Sequence, residues 1–257
     1  MRPCVSQPLR IRSIEFGGAK PLFCVPLVAS DHDSLIRQAD VARDLAPDLV
    51  EWRADSYSNQ TAEGFVGAAK ALRGAVGDIP VIFTLRVKSE GGARLIDQGL
   101  RSSCIEAVLR SRLVDIVDLE LSNAREFLAP LIATAHENNV SIILSFHDFE
   151  KTGGSDELLG TIRALVAAGA DIAKIACMPQ TAEDALRMLQ VTSAARREFP
   201  AVPLCTMSMG KLGSITRTAG FLFGSDMAFA VGQEVSAPGQ IPLAEARAIV
   251  QKLLAYA

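Results

Sequence analysis

Short apolar runs rich in β-branched residues recur along this chain roughly every 30 residues. "LFCVPLVA" begins at residue 22, "LVEWRAD" at 49, "VIFTLR" at 81 and "VDIVDLEL" at 114. "SIILSFHDF" begins at 141, "DIAKIACMP" at 171, "PLCTMSM" at 203 and "MAFAVG" at 227. Runs of this length bounded by polar residues predict eight strands. Between them apolar positions recur at helical spacing, for example over 33–46, 62–77 and 182–199, and again in the closing "LAEARAIVQKLLAYA". Asp33, Thr61 and Thr181 stand where N-caps belong, because their short side chains can accept from the free N–H groups of a first turn.

Strand and helix alternate strictly. Parallel strands need crossover helices, so the alternation predicts a parallel sheet. Eight such units in a chain of 257 residues predict an α/β fold, the (β/α)₈ barrel. A doubly wound open sheet is the rival, but it would normally have fewer strands. Ahead of the first run, "LRIRSIEFGGAKP" (9–21) predicts a short hairpin turning at Gly17-Gly18 and closing the bottom of the barrel. No linker or low-complexity stretch interrupts the pattern, so residues 1–257 are expected to form one domain.

The polar positions inside these strands change the picture. Side chains alternate along a strand, so one set faces inward. Glu51, Arg53 and Asp55 share one face; Thr84 and Arg86 share a face on the next strand, and Asp118 and Glu120 on the one after. Ser145 and His147 follow, then Lys174 in an otherwise apolar run. Barrel interiors are normally filled with branched apolar side chains, and an unpaired buried charge costs several kcal/mol in order of magnitude. Each residue alone has a structural reading: His147 as a hydrogen-bonded core histidine, Glu51 and Arg53 as an ion pair, Asp118 and Glu120 as structural carboxylates, Lys174 as a snorkelling side chain. Five consecutive strands behaving alike towards their C-terminal ends point to the catalytic rim of a barrel enzyme.

A lysine buried beside arginines would lose its proton easily, and a neutral amine attacks carbonyls to form a Schiff base. His147 would lie one strand away, about 4.8 Å across, within reach of a proton on the adjacent carbon. Asp148 alternates to the other face, so it is expected to serve the following loop rather than the His147 ring. "SMGKLGSITRTAG" (208–220) and "GQEVSAPGQIP" (232–242) would frame the pocket. The first supplies Arg217 as a carboxylate clamp, and the second is a candidate lid.

Composition removes other classes. The net charge of −3 leaves no nucleic-acid footprint, and no apolar run approaches the length of a membrane span. The opening residues carry Arg and Pro where a secretory leader needs an apolar segment. Five scattered cysteines without a CxxC pair suit free thiols in the cytoplasm. The three histidines are far apart in sequence, and no nucleotide-binding glycine loop occurs, so neither a metal nor a cofactor is expected.

The motifs "EWRAD" (51–55), "FTLRVKSEGG" (83–92), "VDLEL" (117–121), "SFHDFEKT" (145–152), "AKIACMP" (173–179), "TMSMGKLGSITR" (206–217) and "SAPGQI" (236–241) together resemble the type I 3-dehydroquinate dehydratases. They cover seven of the eight units in order. The resemblance implies a lysine Schiff-base dehydratase of the shikimate pathway, a hydro-lyase that works as a homodimer on a small-molecule substrate. It implies Lys174 as the Schiff-base lysine, His147 as general acid/base and Glu90 as the acid that orients His147. Glu51, Arg53, Arg86, Arg217, Ser236 and Gln240 would bind substrate, with Met207, Met209 and Phe229 packing around its ring. Pro26 departs from the pattern, standing where the family often has a serine. A class I aldolase on the same barrel is the alternative reading.

Overall fold

The computed structural model describes residues 2–232 and 237–256. Eight parallel strands alternate with helices as expected. They are β3 (Leu22–Leu27), β4 (Leu49–Arg53), β5 (Val81–Thr84), β6 (Ile116–Glu120), β7 (Ser141–Asp148), β8 (Ile172–Cys177), β9 (Leu204–Ser208) and β10 (Met227–Phe229). Their order in the sheet is β10-β3-β4-β5-β6-β7-β8-β9. At the seam between the two ends, Asp226 N–H donates to Leu204 O at 2.7 Å, and Leu204 N–H donates to the Asp226 carboxylate at 2.8 Å. The sheet therefore curls into a barrel rather than remaining open. Among the described residues no helix is long and apolar enough to cross a membrane.

The helices are α1 (His32–Leu45), α2 (Ala62–Val76), α3 (Gln98–Ser111), α4 (Arg125–Glu137), α5 (Ser155–Ala167), α6 (Ala182–Glu198), α7 (Gly210–Phe223) and α8 (Leu243–Ala255). Thr61 and Thr181 are N-caps, as expected. Asp33 is not. The cap of α1 is Asp31, which accepts from Ser34 N–H at 2.8 Å, while the Ser34 hydroxyl oxygen accepts from Asp31 N–H at 3.2 Å. Such a reciprocal pair satisfies two end groups at once, and Asp33 is left in the first turn, where its charge suits the helix dipole.

The N-terminal hairpin exists, but its turn is elsewhere. β1 (Leu9–Ile11) pairs with β2 (Ile14–Phe16), with Arg12 and Ser13 between them and Arg12 at a φ of 50°. Gly17 and Gly18 follow the hairpin. Gly17 has a φ of +79°, and a Cβ there would run into Val5. The hairpin does close the barrel floor: Ile11 and Phe16 pack with Leu22, Leu49, Ile82, Ile116, Ile143 and Ile172. Trp52, Tyr57, Phe65 and Phe83 pack edge to face on the outer side of β4 and β5.

The interior is layered by the period of two. On β4 to β8 an apolar floor (Leu49, Ile82, Ile116, Ile143, Ile172) is followed two residues on by a polar tier of Glu51, Thr84, Asp118, Ser145 and Lys174. Two residues further come Arg53, Arg86, Glu120, His147 and Ala176. Dry packing supplies stability at the bottom, and on these five strands the inward-facing charges are gathered towards the C-terminal rim.

Candidate active site

A cavity at that rim is lined by Lys174, His147, Glu90, Glu51, Arg53 and Arg86, and on its other side by Met207, Met209, Arg217, Phe229 and Gln240. Eleven of the twelve expected site residues therefore come together. Ser236 lies outside the described residues. Pro26 is buried in β3 in register with Glu51 and is not among the lining residues.

Lys174 is 4% exposed, and the arginine near it, Arg86, meets it through a carboxylate that the two share. Lys174 Nζ donates to Asp118 Oδ2 at 2.7 Å and lies 3.8 Å from Glu51 Oε1. It also lies 4.6 Å from the centre of the Phe229 ring. The reason is the stagger of the strands: Ser145 is the register partner of Lys174, and Asp118 on the strand beyond reaches across beneath it. Arg86 donates to the same Oδ2, at 2.9 Å, and also donates to Glu120 (2.9 Å) and Ser145 Oγ (2.8 Å). Arg101 from α3 backs Glu120 at 2.5 Å. Lysine and arginines are thus interleaved with carboxylates, which is how buried charges are tolerated.

His147 is held by Glu90, from a 3-10 turn after β5 (Lys88–Glu90). Glu90 Oε2 accepts the His147 backbone N–H at 2.9 Å and faces Nδ1 at 3.1 Å, while Ser122 donates to Oε1 at 2.5 Å. Because Oε2 already accepts the backbone N–H, it meets Nδ1 as an acceptor too, which selects the tautomer with the proton on Nδ1 and leaves Nε2 as a lone pair for the cavity. Burial, with Arg86 and Lys174 nearby, holds the imidazole well below its ordinary value of 6.5. The ring is therefore a neutral base at neutral pH. Asp148 makes no bond to it. Its Oδ1 accepts from the backbone N–H groups of Glu150 and Lys151 at 2.8 and 2.9 Å, shaping the turn after β7 as alternation implied.

Burial also pushes the Glu90 carboxyl up to about 7, against the pull of the Ser122 hydrogen bond. The folded protein holds this proton up to about pH 7 and the unfolded chain only to about 4.5, so its contribution to stability declines as pH rises between them. A Glu90→Gln protein lacks this decline. Its stability relative to the unsubstituted protein should climb across that window by at most about 3 kcal/mol. Thermal unfolding at stepped pH checks it; a difference constant with pH would refute the assignment.

Arg53 is fixed by a two-pronged bond to Asp55, 2.9 Å on each arm, and by Gly91 O at 3.1 Å. The sequence reading put Asp55 on the same face but not in this clamp. Glu51 accepts from Thr84 Oγ1 at 2.7 Å. Arg217 differs from the other site arginines. It is 2% exposed, and its contacts are Pro238 O at 3.2 Å, Phe229 O at 3.5 Å and Met207 Sδ at 3.4 Å. Among the described residues its buried Nε has no partner. Burial pushes its guanidinium down to about 10. A buried cation without a carboxylate is costly and is what an anionic ligand would satisfy. Gly213 lets α7 start this close to the strands, since a Cβ there would fall 2.3 Å from the Ser208 backbone.

Two residues escaped the sequence reading. Phe149 lines the mouth, its ring over Gly91 so closely that a Cβ on that glycine would lie 2.5 Å from it. Its place in "HDF" was the available signal. Asp118 was placed on an inward face with its role left open, and only the fold makes it the nearest described carboxylate to Lys174.

A family model described as Type I 3-dehydroquinase matches residues 23–255. A 3-dehydroquinate dehydratase of Aromatoleum aromaticum is 44% identical over 239 residues, covering 92% of each chain. One of Geobacillus kaustophilus is 42% identical over 250 residues, covering 96% of each. The crystal structure of 3-dehydroquinate dehydratase from G. kaustophilus superposes with a TM-score of 0.97 at 40% identity, over 100% of both chains. That of the Clostridium difficile type I enzyme with covalent modified comenic acid gives 0.92 at 32% identity, over 96% and 97%. With a family model across nearly all the barrel and relatives matched end to end, this chain belongs to the type I 3-dehydroquinase family.

Proposed function

We propose that this chain dehydrates 3-dehydroquinate to 3-dehydroshikimate through a Schiff base on Lys174. Nζ condenses with the C3 ketone and water leaves, giving an iminium. His147 Nε2 removes a proton from C2, and the iminium electrons shift to an enamine. The enamine expels the C1 hydroxyl, His147 returns its proton to that leaving group, and hydrolysis of the new iminium frees the product. Glu90 keeps the imidazole in the tautomer this needs.

Arg217 takes the substrate carboxylate. Glu51, Arg53 and Arg86 bind substrate from β4 and β5, Ser236 and Gln240 take its hydroxyls, and Met207, Met209 and Phe229 pack against the ring. The observation that carries this reading is the buried amine of Lys174, one strand from a neutral imidazole and facing a cavity with an anion-seeking arginine. A class I aldolase would share the lysine, but its sugar-phosphate substrate would not need that arginine, and nothing in the comparisons favours it. The family resemblance further implies a homodimer. A cytoplasmic location suits the free thiols, four of them buried.

Incubation with 3-dehydroquinate and borohydride should leave a reduced adduct on the Lys174 peptide, seen by mass spectrometry, while product forms with conjugated-enone absorbance. Product formation with an unmodified Lys174 would overturn the mechanism.

A further inference from the structure

Asp118 lies against the atom on which the Schiff base would form. Its Oδ2 accepts from Lys174 Nζ at 2.7 Å and from Arg86 Nη2 at 2.9 Å, and its Oδ1 accepts from Ser145 Oγ at 2.6 Å. Three donors from three segments of the barrel wall fix it in place, and its side chain is fully buried. We propose that Asp118 is a catalytic residue, the counter-ion of the iminium at Lys174. This rests on Lys174 being the Schiff-base lysine.

When the amine condenses with a ketone and water departs, the nitrogen keeps one proton and a positive charge. That N–H still has Oδ2 as its acceptor. The charge draws electrons out of the neighbouring C–H bond, disappears when the enamine forms, and returns when the hydroxyl leaves. A fixed anion at hydrogen-bond distance stabilises both cationic forms, and in a dry site it does so without reorganising. Asp118 is not the base. Burial would raise its carboxyl, but Arg86 and Lys174 outweigh burial and hold it well below the usual carboxylate range.

The other groups facing Nζ leave this role to Asp118. Glu51 stands off at 3.8 Å and is engaged by Thr84. Arg86 is cationic and shares the Oδ2 oxygen of Asp118 with Lys174. His147 is the neutral base above. The thiols of Cys24 and Cys205, below, are pushed up by burial and carry no charge at neutral pH.

Asp118→Asn keeps the shape and one acceptor oxygen while removing the charge, and Arg86 retains Glu120. The expected result is a kcat lower by about 100-fold. KM should move less than about threefold, because Asp118 does not line the cavity. With lysine labelled by ¹⁵N at Nζ, the substrate adduct should read as a protonated iminium in the unsubstituted protein and as a neutral imine in the variant. A protonated adduct and an unchanged kcat in D118N would overturn the proposal. Should D118N not fold, the unsubstituted adduct decides: its nitrogen should stay protonated at every pH at which the protein is folded, and deprotonation within that range refutes the counter-ion. Failure to form any adduct on Lys174 would instead sink the Schiff-base reading.

Discussion

A Lys174→Met protein is expected to fold and to lose at least about 10⁴-fold in kcat/KM, because the nucleophile is gone and only binding and proton transfer remain. Methionine fills the same slot among Phe229, Met207 and the floor of the cavity. Breaking a buried ion pair ordinarily costs about 3–5 kcal/mol because one charge is stranded. Here Asp118 keeps Arg86 and Ser145, and Glu51 keeps Thr84, so the cost should fall below that range. A single unfolding transition with native circular dichroism, alongside the enone assay, separates lost chemistry from lost structure. A folded K174M protein that still turns over substrate would end the Schiff-base mechanism.

The second large effect has opposite signs in activity and stability. Among the described residues no carboxylate pairs with the buried Arg217, and its guanidinium is pushed below the ordinary arginine value to about 10. The folded state therefore holds this proton less tightly than the unfolded chain. Its burial destabilises the free protein at every pH below about 10, and the penalty fades only between there and the ordinary arginine value. Arg217→Met removes that penalty and should raise the stability of the ligand-free protein by up to about 3 kcal/mol. The same change removes the partner of the substrate carboxylate. Losing one member of a desolvated charged pair costs about 2–5 kcal/mol, or roughly 30- to 4,000-fold in kcat/KM, with most of it in KM if binding is the loss. Steady-state kinetics and thermal unfolding of one variant test both. A drop in stability with KM unchanged would make Arg217 a structural residue. Such a site stores binding energy as instability of the empty state, a common cost of function.

Much of this could be read along the chain. Eight apolar runs separated by helical patterns admitted few architectures, because parallel strands must be joined by crossovers and those crossovers were visible. Alternation placed Glu51, Arg86, Asp118, His147 and Lys174 on inward faces and sent Asp148 outward, since the strand period is two whatever the tertiary context. The charge at the strand ends announced chemistry. The motifs then supplied the role of Glu90, which no periodicity could have singled out, because it stands in a short turn rather than on a strand.

What only the fold decided was who meets whom. Alternation gives a face, but partners depend on register and on the stagger of neighbouring strands. That stagger set Asp118 between Lys174 and Arg86, and gave Arg86 to two carboxylates at once. Local competition escaped the sequence in the same way. Asp31 took the cap of α1 from Asp33 because Ser34 could reciprocate, and the hairpin turned at Arg12-Ser13 so that Ile11 and Phe16 could both face the floor. The sequence determined the barrel, its catalytic rim and the residue types gathered there. The tertiary structure decided the pairings, because hydrogen bonds and charge balance are made between side chains far apart in the chain, at distances that only packing sets.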